Sequence, residues 1–196
     1  MPLPLLWLGA AAISALAVKE IADDRKKQQK KRRYYREVQT LDSLDRHESP
    51  VVTYPTDLFS TEQKVKPEVG AIVCCGIGGL LDHTGIWMGD NTIIELDGNG
   101  LIKPISAQRF TKERSGKNIF IACDSHGIPI ASELAANRAH QQIFQCHDYH
   151  MIDNNCHQFI WQCFNPKDSN LTTFKELNVR LAKFFDRKIY WDICDC

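Results

Sequence analysis

No Cys-x-x-Cys pair occurs among the eight cysteines, no internal repeat is present, and 24 Lys and Arg are balanced by 24 Asp and Glu. Lacking Cys-x-x-Cys, the chain has little sequence support for a structural zinc site. With no repeats in 196 residues, 43% of them hydrophobic and 24% charged, one compact core with an appendage is expected. An even cysteine count invites disulfides. Yet Cys74 and Cys75 are adjacent in an apolar run that reads as strand, and the chain is too large to need staples, so reduced thiols are expected. Cys146, His147 and His150 offer metal donors close together, but without a supporting pair no metal or cofactor is expected. Cys194 and Cys196 read as a frayed tail.

Two local absences matter more than the global ones. Residues 25–36, "RKKQQKKRRYYR", hold eight basic residues and no acid, and residues 2–18, "PLPLLWLGAAAISALAV", hold no charge at all. Seventeen apolar residues lie at the short end of what spans a bilayer. The apolar run has no Lys or Arg before it and the positive charge follows it, which argues against a cleaved export signal. The expectation is a single-pass anchor with the basic block and the rest of the chain in the cytoplasm. Beside an anchor, the basic block fits anionic lipid; no nucleic acid partner is expected.

Residues 37–68 are polar, with prolines at 50, 55 and 67 and no sustained periodicity, which reads as linker. The organisation expected is therefore an anchor over 1–18, a basic segment and linker over 19–65, and a folded domain over 66–196. "VGAIVCC" (69–75), "HTGIWMG" (83–89), "TIIELDG" (92–98), "LIKPI" (101–105) and "NIFIAC" (118–123) read as strands, with Pro104 suited to an edge. Helices are predicted over 130–145, from Cys156 onward, and over 172–188. Strands in one run with helices mostly after them mean α+β, a small antiparallel sheet packed against helices.

The stretch "MIDNNCHQFIWQCF", 151–164, puts Cys156 at the start of a helical run instead of inside it. With Asp153 or Asn154 as N-cap, free backbone N–H groups and the positive end of the helix dipole would face the sulfur and favour thiolate, the nucleophilic form. A catalytic cysteine needs an imidazole in reach and a group to orient it. His47, His126, His140, His147 and His150 fall in linker, turn, helix or connection, and His157 adjoins the cysteine and is expected to point elsewhere on the helix. His83 opens a strand just after the glycine-rich "GIGGLLD". If Gly89-Asp90-Asn91 is a three-residue loop, Met88 pairs with Thr92 and Gly85 with Glu95, so His83 and Glu95 share a face as diagonal neighbours roughly 7 to 8 Å apart at the backbone. A two-residue loop would send them to opposite faces, because a one-residue slip flips every side chain.

Taken together, "VGAIVCCGIGGLLDHTGIWMGDNTIIELDGNGLIKPIS" and "DNNCHQFI" resemble the lecithin retinol acyltransferase family over about residues 66–165. That family has a circularly permuted papain-like fold, with a His in an "H-x-GI-x-x-G" context, a second polar residue twelve positions on, and the nucleophile in "NC-x-x-F". The resemblance assigns these places to His83, Glu95 and Cys156. Where the animal enzymes have a second His, this chain has Glu95, and its "NCHQF" departs from the commoner "NCEHF". The resemblance implies thiol-dependent acyl transfer or hydrolysis through a thioester, with a membrane lipid as natural acyl donor and no cofactor. Deconjugating isopeptidases and NlpC-type peptidases share the permuted fold and a similar strand and helix, so a peptide or amide substrate is the rival reading. A tethered adaptor with an inert thiol is the non-enzymatic one.

Overall fold

The computed structural model describes residues 50–53, 55, 63–77, 81–112, 114, 116–150, 154–168 and 170–196. The apolar segment 2–18 and the basic block 25–36 lie outside them. No helix among the described residues is long and apolar enough to cross a membrane.

These residues form a mixed α+β fold. The strands are β1 (Val51–Thr53), β2 (Lys64–Val65), β3 (Ile72–Ile77), β4 (Leu81–Gly89), β5 (Thr92–Leu96), β6 (Ile102–Ser106), β7 (Phe120–Cys123) and β8 (Ile189–Cys194). The helices are α1 (Ala107–Lys112), α2 (Glu133–Gln141), α3 (Cys156–Phe164) and α4 (Phe174–Phe185). One sheet joins all the strands in the order β1-β8-β7-β3-β4-β5-β6, with β2 also on β8. The sheet is larger than the sequence suggested and not purely antiparallel: β1 and β2 run parallel to β8, and both fall in the stretch read as linker.

Burial on both faces explains the central strands. Along β3, Ile72 and Cys74 face one hydrophobic cluster while Val73 and Cys75 face the other, so the segment is apolar at every position instead of alternating. The first cluster takes in α2, α3 and α4; the second takes in Ala107 and Phe110 of α1. Pro104 sits in β6, at the end of the sheet, where a strand can dispense with an amide donor.

Residues 189–194 correct the frayed-tail expectation for Cys194, which is buried in a strand, while Cys196 beyond it is exposed. They form β8, almost wholly buried, and pair with β7, β1 and β2. Trp191 donates its indole N–H to Asn178 of α4 at 2.8 Å, so a buried polar pair ties the last helix to the last strand. α4 stops short of the predicted 188 because Asp186 adopts a left-handed cap at φ 51°. At its other end Thr173 and Glu176 form a reciprocal capping box.

Candidate active site

The β4–β5 hairpin is built differently from the expectation but reaches the same register. Its turn is two residues, Asp90 and Asn91, at φ 44° and 58°, with Gly89 paired to Thr92. A bulge between Trp87 and Gly89 inserts one residue into β4, so beyond it Trp87 pairs with Ile93 and Ile86 with Ile94. Extending that register by one residue sets Gly85 opposite Glu95 and His83 diagonal to it, in keeping with the His83–Glu95 contact at 2.9 Å. Without the bulge, the same turn would carry Glu95 to the other face. A Cβ at Gly85 would lie 2.4 Å from Ile93 Cγ2 and 3.1 Å from both the Ile94 carbonyl oxygen and the Phe110 ring, so a side chain there would force Ile93 to shift.

His83 and Glu95 are both buried, and His83 Nε2 donates to Glu95 Oε2 at 2.9 Å. This leaves Nδ1 for the thiol. Burial would raise the Glu95 pKa, but the bond from His83 and the nearby His83, Arg114 and Lys103 charges outweigh it and hold the carboxyl below its ordinary value. For His83, burial disfavours the charged ring; the bonds to Cys156 and Glu95 outweigh it and raise the pKa, while Arg114 opposes them.

Cys156 is the first residue of α3 and only 4% exposed. The N-cap is Asn155, one residue later than expected: its side chain accepts from Gln158 N at 3.0 Å while its own amide donates to Thr172 O at 2.7 Å. Asp153 lies outside the described residues, and Asn154 instead forms an isolated bridge with His150. Burial alone would push the Cys156 thiol up; His157, and then His83, overcome it and bring the pKa well below the ordinary thiol value. The other buried thiols with a resolved direction, Cys74, Cys75, Cys163 and Cys194, all go up. Cys75 and Cys163 are pushed to about 12.

Three partners have no counterpart in the sequence reading. His157 does not point away: its Nδ1 lies 3.8 Å from Cys156 Sγ and shares a 3.1 Å hydrogen bond with Thr84 Oγ1. Arg114 Nη2 donates to Glu95 Oε2 at 2.9 Å, the same oxygen that His83 uses. For His157 there was no signal, since successive residues on a helix project about 100° apart and nothing in the local pattern turns its ring back to the sulfur. Thr84 was equally hidden, because alternation puts it on the face of β4 opposite His83. For Arg114 there was none: it sits nineteen residues from Glu95 in a polar connection after α1.

Among the described residues no group of three or more His, Cys, Asp or Glu side chains could hold a metal ion. No family model matches this chain, and no curated protein matches its sequence.

Proposed function

We propose that the chain is a thiol acyltransferase or hydrolase in which Cys156 is the nucleophile, His83 the base and Glu95 the orienting carboxylate, on a permuted papain-like fold of the lecithin retinol acyltransferase type. The observation that carries this reading is geometric: Cys156 opens α3 with His157 Nδ1 3.8 Å from its sulfur, and the His83 ring, which with His157 brings the Cys156 pKa down, is held at Nε2 by the buried Glu95 carboxylate at 2.9 Å. Structural thiols have no need of such a relay.

In the reaction, the Cys156 sulfur attacks an acyl carbonyl while the thiol proton rests on His83. The tetrahedral oxyanion is stabilised by backbone N–H groups of the first turn of α3, which no intrahelical carbonyl claims. Collapse expels the donor's oxygen or nitrogen, which takes the proton from His83 and leaves a Cys156 thioester. Water, an alcohol or an amine then gives its proton to His83 and attacks the thioester, and the thiol is restored. Glu95 keeps the ring in the tautomer that presents Nδ1 and offsets the imidazolium charge.

We place the substrate among membrane lipid acyl groups, because residues 2–18 as an anchor would hold the site at high effective concentration of phospholipid, with the catalytic part in the cytoplasm. The test is to incubate the full chain with phospholipid vesicles and, separately, an acyl-peptide pool, quench in acid, and weigh the peptide containing Cys156. A fatty-acyl mass from vesicles supports the proposal. A peptidyl mass moves the chain to the peptidase class, and no adduct in either pool removes the nucleophile assignment.

A further inference from the structure

Glu95 is surrounded in an uneven way. Its side chain is fully buried, yet His83 Nε2 and Arg114 Nη2 both donate to Oε2 at 2.9 Å, while Oε1 has no hydrogen-bond partner among the described residues and Lys103 Nζ lies 3.8 Å from it. An ionised carboxylate oxygen accepts two bonds without strain, so the two donors need not exclude each other. They do share one charge. Each proton donor reduces the electron density offered to the other.

Arg114 is itself tightly placed. Its Nη1 donates to the Phe110 carbonyl, its guanidinium lies 5.0 Å over the Phe110 ring, and its side chain is 12% exposed. The same ring also neighbours His83, 5.3 Å between centroids. Phe110 therefore braces both donors, and α1, absent from the sequence reading, becomes part of the site's frame.

Resting on the proposed reading of Cys156 and His83, we propose that Arg114 is a positioning residue that fixes the Glu95 carboxylate against His83 and limits how strongly that carboxylate holds the ring's proton. A base is most effective when it both takes and releases its proton at the working pH. A fully buried carboxylate paired with His83 alone would favour the imidazolium so strongly that the leaving group would be starved of its proton. The guanidinium, sharing Oε2, draws this back. The titratable and charged groups around the His83 ring are Cys156 from α3, Glu95 from β5, Cys75 from β3 and Arg114 itself, with Lys103 of β6 behind Glu95.

The test separates this proposal from the reading beneath it. Alkylation of the otherwise unaltered full chain by iodoacetamide across pH, with the modified peptide identified by mass, tests whether Cys156 is the activated thiol. Titration of His83 by carbon-13 NMR in a Cys156→Ala chain tests Arg114 with the thiolate removed. Arg114→Gln deletes a positive neighbour, so the imidazolium becomes easier to form and the His83 pKa rises, by about one unit for a charge at this separation. Arg114→Lys keeps the charge and stays within about 0.3 unit of the parent. An unshifted His83 in a folded Arg114→Gln chain, or an Arg114→Lys shift as large as the glutamine one, overturns the proposal. Should Arg114→Gln fail to fold, Arg114→Lys decides alone: near-parent titration supports the role of the charge, and a one-unit rise refutes it.

Discussion

The two ends of α3 carry one cysteine each, and they behave oppositely. Cys156 and Cys163 are both buried, yet the first thiol is driven well below its ordinary pKa and the second is pushed up to about 12. Burial is the largest influence on both and acts in the same direction. Cys156 differs in having His157 Nδ1 3.8 Å from its sulfur and two imidazoles, His157 and His83, that act to lower its pKa. Cys163 lies in the last turn, where the dipole disfavours an anion and where the nearest cation, Arg138, spends a guanidinium N–H on the Cys163 carbonyl at 2.8 Å. Activation of a thiol on this helix is a matter of what faces its ends.

The sharpest way to break that comparison is to exchange the fates of the two residues. Cys156→Ser should abolish thioester formation, a loss of about 10³-fold or more in turnover, because the hydroxyl is a far weaker nucleophile at the same place. Cys163→Ala should leave turnover within about twofold and cost roughly 1 kcal/mol of stability from the small cavity, read as a lower urea midpoint. If the second substitution matches the first in activity, the nucleophile has been assigned to the wrong end of the helix.

A smaller effect is expected from the relay. Glu95→Gln should lower kcat by roughly 10- to 10⁴-fold while the circular dichroism spectrum is retained, since an amide can present its own N–H to His83 and upset the tautomer. His157→Gln should shift the acid limb of Cys156 alkylation upward by about one pH unit, because it removes the first of the influences that oppose burial. Unchanged alkylation would mean that His83 alone sustains the thiolate.

The weakest signal lies in stability against pH. Glu95 has its folded pKa depressed, so its contribution is fully present above the unfolded value of about 4.3 and is lost as pH falls through the folded one. His83 has a raised folded pKa; its contribution is complete below the unfolded value of about 6.5 and fades as pH rises through the folded one. Urea midpoints measured from pH 6 down to 2.5 should therefore fall less steeply for Glu95→Gln than for the parent chain. Parallel curves would show that the carboxylate's ion pairs contribute nothing net.

The strand pattern around His83 and Glu95 and the helix beginning at Cys156 were legible because both follow from local chemistry: alternation, turn residues, and the break between polar "DNN" and an apolar helix. Even so, the hairpin reached its register through a two-residue turn and a bulge, not a three-residue loop. Either device adds the same one residue to the same strand, so the sequence pattern cannot tell them apart. β8 was missed for a different reason. "IYWDIC" is buried on both faces and includes Asp192, whose carboxylate receives the Cys123 thiol at 3.0 Å, so neither alternation nor uniform apolarity marks it as a strand.

By itself the sequence determined which residues could carry chemistry and on which local elements they sit: a thiol at a helix start, an imidazole and a carboxylate on one face of a hairpin. Only the tertiary structure decided how charged that site would be. His157 turning onto the sulfur and Arg114 reaching Glu95 depend on where α3 lies against Thr84 and where α1 sets Phe110. Periodicity reports the face a side chain takes on its own element. Electrostatics in a buried site is set by distances between elements far apart in the chain, which no local pattern encodes.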